Sequence, residues 1–309
     1  MARPIIIDCD PGVDDAIALL LALAHPTELN ILGITTVAGN VPLHYTSQNA
    51  LKICALAKAD TPVYAGCPRP MLRSLATAAD IHGATGLQGT ELPEPSQSLM
   101  VQHAVAFLIE TLQQASEPIT LATLGPLTNI AVALIQVPAI ATKIDQIIAM
   151  GGAITHGNMT PAAEFNIYVD PHAAKVVFES GIAIKLITLD TTHQVLTTDE
   201  HLNAFRQLNT SVGHAAADLL THYGTPDKER YEMDGAPLHD PCVIAYLLKS
   251  ELFSFRPTYT TIETNSPDTI GRTVIDWWGR TGKPPNVEVA ASVNAAGLYD
   301  LLIKSLAKL

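Results

Sequence analysis

Short, continuous apolar runs rich in β-branched residues recur along the chain, each followed by a longer stretch of helical periodicity. Few folds accept that pattern. Strands are predicted at Pro4–Ile7, Asn30–Val37, Thr61–Tyr64, Ile119–Leu124, Ile144–Met150 and Ala183–Leu189. A strand that is apolar at consecutive positions has to be buried on both faces. Helices between such strands supply the cover, which gives βαβ units around an open, mainly parallel sheet. Val101, Val105, Leu108 and Leu112 follow the 4-3-4 spacing of one helical face. Asn294 is placed to cap a last helix carrying Leu298, Leu301, Leu302 and Leu306. No repeat, low-complexity tract or composition shift marks a linker, so the 309 residues read as one α/β domain over 1–309. Three stretches rich in Gly, Pro, Asn or His, namely Gly66–Pro95, Gly151–Tyr168 and Tyr223–Pro241, read as long functional loops.

Charge and composition exclude several classes. A formal net charge of −12 without a basic run argues against nucleic acid and against an anionic membrane surface. The longest apolar run, Ala16–Ala24, falls well short of the roughly 20 residues that span a bilayer. The first residues carry no secretory pattern, whose apolar stretch needs roughly 7–15 residues. Cys9, Cys54, Cys67 and Cys242 make neither a CxxC pair nor a disulfide framework. A reducing, cytoplasmic location is the expectation.

The strongest local signal is Asp8-Cys9-Asp10-Pro11-Gly12-Val13-Asp14-Asp15, between the first strand and the first helix. In open α/β sheets, ligands bind beyond the carboxyl ends of strands. Four carboxylates within eight residues repel one another unless positive charge lies among them. A helix N-terminus relieves Asp14 and Asp15. It does nothing for Asp8 and Asp10, whereas a hard divalent cation bound by oxygen would. Two further stretches carry candidates. Asp240, in Gly235-Ala-Pro-Leu-His239-Asp240-Pro241, reads on its own as the N-cap of a helix over Cys242–Leu248. Gly151-Gly152 after a strand permits close backbone approach to a ligand. Glu164 and Asn166, two apart in an extended segment, would point one way and could grip vicinal hydroxyls, with Asp170 capping the next helix.

Together these segments resemble the inosine–uridine nucleoside hydrolase family over essentially the whole chain. The resemblance rests on DCDPGVDDAIAL at 8–19, AGN at 38–40, Asp80-Ile-His82-Gly83 and LGPLTNIA at 124–131. It continues through MGGA at 150–153, PAAEFNIYVDPHAA at 161–174 and HDP at 239–241. It implies a Rossmann-like nucleoside hydrolase fold with the active site at the C-terminal strand ends. It also implies a Ca²⁺ ion held by Asp10, Asp15, Asp240 and the carbonyl of Leu124, with the ribose 2′- and 3′-hydroxyls and water completing the oxygen shell. By the same resemblance Asp10 is the general base for the attacking water, Asp14 holds the 2′-hydroxyl, Asn166 the 3′-hydroxyl, and Glu164 and Asn158 the 5′-hydroxyl. Asn40 lines the pocket, and Asp8 braces the loop without binding metal. His239 and His82 are the candidates to assist the departing base, as imidazole titrates near neutral pH.

Within the family the chain looks most like the branch preferring pyrimidine ribonucleosides, uridine and cytidine, with inosine or a broad preference as the alternative. Tyr231 resembles the tyrosine such relatives place near the base, and Asp227 stands where an amide is common. A homotetramer and a role in nucleoside salvage are implied by resemblance alone. Two readings from other classes compete. A haloacid-dehalogenase-type phosphatase also starts with a strand and Asp-x-Asp, but Gly12 stands where it wants Thr or Val, and AEFN and HDP are left unexplained. A non-catalytic nucleoside-binding protein would need the sugar grip without the Asp10 base and the paired histidines. Trp277 and Trp278, in a strand-like TVIDWWG run, read as packing or subunit-contact residues.

Overall fold

The computed structural model describes residues 2–231 and 234–309, with side chains described for 2–223 and 234–309. The predicted strands form β1 (Arg3–Cys9), β2 (Leu29–Thr36), β3 (Val63–Ala65), β4 (Ile119–Thr123), β5 (Ile144–Met150) and β6 (Ile184–Ile187). Two short strands, β7 (Leu196–Thr197) and β8 (Ala236–Pro237), pair with each other. The C-terminal region adds β9 (Phe253–Ile262), β10 (Thr273–Asp276) and β11 (Val287–Val293). The main sheet has nine strands in the order β10-β9-β11-β6-β5-β4-β1-β2-β3. Every pairing from β11 to β3 is parallel; β9 runs against the rest, and β10, antiparallel to β9, returns to their direction at the edge. This is an α/β fold around an open, mostly parallel sheet.

Both faces are covered, as the unbroken apolar strands require. Ile5, Ile7 and Cys9 of β1 point into one core with the helices Val13–Leu23, Pro241–Leu248 and Ala295–Leu306. Ile6 points into the other, with Ala104–Gln114, Thr128–Gln136 and Pro171–Phe178. The chain lays β1, β2 and β3 outward in one direction, then returns to lay β4, β5 and β6 in the other. The direction reverses between β1 and β4, and a crevice opens there at the carboxyl ends because the outgoing loops diverge.

Several expectations were altered by context. β9 carries Ser254, Arg256 and Thr261, and β11 Glu288 and Ser292, at positions open to solvent, so neither shows a continuous apolar run to predict it. Val101 lies before its helix, fully exposed, because the helix starts only at Ala104, where His103 caps it by accepting the Val105 N–H at 3.2 Å. The Tyr223–Pro241 stretch, expected as a loop, instead begins inside a helix that spans Ser211–Tyr231. Its buried stripe of Val212, Ala216, Leu219, Leu220 and Tyr223 anchors it to the core, and tertiary packing overrides the local breakers. Asn294 does cap the last helix, accepting the Gly297 N–H at 3.0 Å. Among the described residues no helix is long and apolar enough to cross a membrane, and all four cysteines are free. Trp277 packs against the second core, while Trp278 is 76% exposed.

The last helix closes the first core with Leu302, which is fully buried. Replacing Leu302 with Ala is expected to cost about 2–5 kcal/mol in urea unfolding, through lost burial and the cavity left behind. Turnover per folded molecule should be unchanged, since the helix lies away from the crevice.

Candidate active site

The loop after β1 enters the helix Val13–Leu23 through Gly12, which has no side chain to cap it. Asp15, in the first turn, takes over that role: its carboxylate accepts the Gly12 N–H at 2.9 Å and the Asp10 N–H at 3.1 Å. Asn40, following β2, ties the same loop by donating Nδ2–H to the Asp15 carboxylate at 3.1 Å and its backbone N–H to Asp10 Oδ2 at 2.7 Å. Gly39 and Gly125 pack so tightly on Asp10 that a Cβ on either would lie 2.0 or 2.1 Å from a carboxylate oxygen. The residue type at both positions is therefore dictated by the Asp10 side chain.

Asp240 occupies the N-cap position of Pro241–Leu248 yet makes no capping hydrogen bond with its side chain. Its carboxyl faces the β1 loop instead. Oxygen atoms of Asp14, Asp15 and Asp240 come within 4.8 Å of one another, with all three residues buried. Asp10 lies beside this triple rather than in it. Burial and mutual repulsion push these groups up: Asp14 to about 8, and Asp10 and Asp240 well above the carboxylate range. Asp15 rises too through burial, despite its backbone donors. Oδ1 of Asp10 and Oδ1 of Asp14 are buried with no hydrogen-bond partner among the described residues. Buried oxygens left unpaired, in a cluster of four acids, fit a hard divalent cation, which would supply both the missing contacts and the missing charge. The Leu124 carbonyl, at the end of β4, accepts from Asn166 Nδ2 at 2.6 Å and keeps its second lone pair.

Asp8 sits apart from this group. It is fully buried in β1, where Oδ1 accepts from the Thr35 hydroxyl at 2.5 Å and from Asn129 Nδ2 at 2.8 Å. Burial pushes it up to about 7. It ties β1 to β2 and to the helix after β4.

Across the crevice, the segment after β5 makes the opposite wall. Glu164 and Asn166 are not in an extended segment: Glu164 caps the short helix Phe165–Val169, on which Asn166 lies. The Glu164 carboxylate accepts N–H bonds from Gly152 at 2.8 Å, Asn166 at 2.9 Å and Ile167 at 3.1 Å. Capping, not strand alternation, brings the two side chains to one side. Asn158 Oδ1 accepts the Phe165 N–H at 2.9 Å, which leaves its Nδ2 amide free to donate. Asp170 caps the following helix through Ala173 N–H at 3.0 Å, as expected.

A cavity of about 170 Å³ joins the two walls. Asp14, Asn40, His82, Leu124, Asn158, Glu164, Asn166, His239 and Asp240 all line it, along with Met150, Met159 and Phe165. Asp10 and Asp15 lie just behind that surface, hydrogen-bonded to Asn40, which lines it. A larger groove of about 630 Å³ beside β6, β9 and β11 contains none of these acids or histidines. His82 accepts the Val13 N–H on Nδ1 at 3.1 Å, so its proton sits on Nε2. His239 Nδ1 pairs with the Thr192 hydroxyl at 2.7 Å, and Nε2 is then the ring nitrogen open to a ligand. Burial pushes both imidazoles down to about 3, so both are neutral near pH 7.

Two contributors escaped the sequence reading. Tyr223 is buried in the cavity wall, with its hydroxyl 3.5 Å from Asp14 Oδ2 and its ring 5.3 Å from that of His82. Continuing the 4-3-4 helical spacing of Val212, Ala216 and Leu219 by one more step reaches it. Thr192 carries no such signal. The side chains of Tyr231 and Asp227 lie outside the described residues.

An acidic crevice with paired neutral histidines, at the switch point of an open parallel sheet, marks an α/β enzyme. The chain belongs to the inosine-uridine preferring nucleoside hydrolase family, which it matches over residues 5–300. It is 47% identical to a pyrimidine-specific ribonucleoside hydrolase of Shewanella sp. (strain MR-4), over 99% of this chain and 97% of that protein. Among solved structures, a purine-preferring ribonucleoside hydrolase from Gardnerella vaginalis superposes with a TM-score of 0.92 at 32% identity, covering 99% of this chain and 98% of its own. A plant nucleoside hydrolase superposes at 0.91 with 33% identity and 99% coverage of both chains. The protein is a ribonucleoside hydrolase.

Glu164 offers a pH test of the wall after β5. Burial raises it from 4.5 to about 7 despite three N–H donors. The folded chain then holds a proton that the unfolded chain has released. That stabilisation is complete below pH 4.5 and is lost as the pH rises through 7. Glu164→Gln has no such slope. Urea unfolding of both proteins should show wild type losing up to about 3 kcal/mol relative to the variant across that window. A constant difference would mean that Glu164 is ionised throughout.

Proposed function

We propose that the enzyme cleaves the N-glycosidic bond of pyrimidine ribonucleosides with the help of Ca²⁺, using Asp10 as the general base. The observation that carries this reading is the pair of unpartnered buried oxygens, Asp10 Oδ1 and Asp14 Oδ1, beside two further buried acids and opposite an amide-and-carboxylate wall. Asp10, Asp15, Asp240 and the Leu124 carbonyl are the oxygens that would hold the cation. When bound, it would lower the pKa of an attacking water and favour substrates with an intact 2′,3′-diol.

The chain's own groups account for the remaining steps. Asp10 keeps Oδ2 fixed by the Asn40 N–H and turns the unpaired Oδ1 to the water, whose proton it accepts as the C1′–oxygen bond forms. Asp14 Oδ1 accepts from the 2′-hydroxyl. Asn166 has committed its Nδ2 to Leu124 and Met150, so its Oδ1 remains to accept from the 3′-hydroxyl. Asn158 donates from Nδ2 to the 5′-oxygen, and Glu164 accepts a hydrogen bond from the 5′-hydroxyl. Held this way, the ribose presents C1′ to water while oxocarbenium-like charge develops beside a strongly acidic wall. The departing base gains electron density and accepts a hydrogen bond from His82 Nε2–H, with His239 as the second donor.

The pyrimidine preference rests on the 47% identical relative. A purine preference is the second reading, favoured by the close superposition on the purine-preferring structure. Ribose release from uridine, cytidine, inosine and deoxyuridine, with and without chelator, separates them. Uridine and cytidine should be cleaved, inosine slowly, and deoxyuridine almost not at all. Exhaustive chelation should abolish turnover, with Ca²⁺ restoring it. Asp10→Asn should lower kcat by about 10²–10⁴. Faster release from inosine would transfer the assignment to purines, and full turnover in Asp10→Asn would remove the base assignment.

A further inference from the structure

We infer that Thr273, on the C-terminal β9–β10 hairpin, is a positioning residue that sets the 5′-hydroxyl-binding carboxylate through the backbone of the Gly151–Ala153 turn. This rests on the reading of Glu164 as the group that takes the 5′-hydroxyl. Thr273 is buried, and its hydroxyl makes two bonds to one residue: it accepts the Ala153 N–H at 2.8 Å and donates to the Ala153 carbonyl at 3.2 Å. The peptide before Ala153 belongs to Gly152, whose own N–H donates to Glu164 Oε2 at 2.8 Å. One hydroxyl therefore sits two peptide units from the carboxylate, through a rigid turn.

The geometry around this turn is built for the contact. Gly152 has φ +70°, which L side chains rarely adopt, and a Cβ there would lie 2.7 Å from both Oγ1 and Cγ2 of Thr273. The double glycine that reads in sequence as close approach to a ligand is explained differently for its second member. Gly152 admits the threonine, while Gly151 lies against Glu164, where a Cβ would sit 3.4 Å from Oε2. On its other side the turn is held by β6 and the residues after it: the Gly151 N–H donates to Ile187 O at 3.1 Å and the Leu189 N–H to Gly152 O at 3.0 Å. Those bonds leave the Ala153 peptide groups to Thr273. The hairpin makes a second contact with the same wall, because Gly271, at φ +83°, packs on the Tyr168 backbone and on Ala163, next to Glu164. A hairpin far along the sequence thus closes the ribose end of the pocket from behind.

The test compares uridine with 5′-deoxyuridine on wild type, Thr273→Val and Thr273→Ser. Wild type should lose at least about tenfold in kcat/KM when the 5′-hydroxyl is absent. Thr273→Val keeps the shape and removes the hydroxyl. It should lose about tenfold on uridine and less than about twofold on 5′-deoxyuridine, because the group that it misplaces has nothing left to bind. Thr273→Ser, which restores the hydroxyl, should recover most of the loss. Equal losses on both substrates, or no loss on uridine, would overturn the proposal and leave Thr273 a packing residue. Should Thr273→Val not fold, the same ratio is read from Thr273→Cys, whose thiol is a weak hydrogen-bonding substitute. If wild type treats both substrates alike, the Glu164 reading itself fails and the Thr273 role falls with it. That result is distinct from one in which wild type discriminates and Thr273→Val loses equally on both.

Discussion

Four aspartates buried around one crevice, with unpaired oxygens on two of them, form the constraint on which the rest of the molecule depends. Carboxylates packed so closely are unfavourable in a folded chain unless a cation or protons offset their charge. The protein surrounds them with backbone N–H donors from the Asp10–Gly12 turn and an amide from Asn40, then leaves Oδ1 of Asp10 and of Asp14 without a protein partner. Such a cluster persists only where the scaffold around it is rigid. Here the scaffold is a sheet covered on both faces, with β1 and β4 at its centre.

The sheet's topology also explains why residues distant in sequence meet. Reversal of strand order between β1 and β4 places the Asp10 loop, the Leu124 carbonyl and the β5 turn at neighbouring strand ends. The helix Pro241–Leu248 packs on the helix Val13–Leu23 and brings Asp240 and His239 to the same place. Nucleoside chemistry suits this arrangement. One wall is acidic, formed by Asp14, Asp15 and Asp240. The other is an amide-and-carboxylate wall, whose acceptors and donors are each partly committed to backbone groups and so point one way. The antiparallel addition of β9 and β10 then buttresses that second wall from outside the parallel sheet.

The strands were legible because a doubly buried strand has to be apolar at consecutive positions, and β1, β4 and β5 are. β9 and β11 were not, because strands partly open to solvent tolerate polar residues such as Ser, Thr, Arg and Glu. The acid loop was legible because four aspartates beside a glycine turn have few purely structural explanations. Asp240 was ambiguous. Its position at a helix start suggests a cap, and only the fold shows the carboxyl turned away from the helix toward Asp14 and Asp15. Tyr223 was hidden by the loop-like composition that follows it, and Thr192 and Thr273 by being ordinary threonines whose partners lie 47 and 120 residues away.

Taken alone, the sequence determined the class of fold and the acidic character of the loop after β1, while the amides, the histidines and Asp240 entered through resemblance to the family. The first two follow from local pattern: apolar period, turn chemistry, and acids crowded beside a glycine turn. Tertiary structure decided which oxygens are left unpaired, which imidazole nitrogen carries the proton, and which backbone turn holds Glu164. Each of these depends on a partner brought from another part of the chain. A hydrogen bond is a property of two groups in space, and neither residue's neighbours in sequence encode where the other will be.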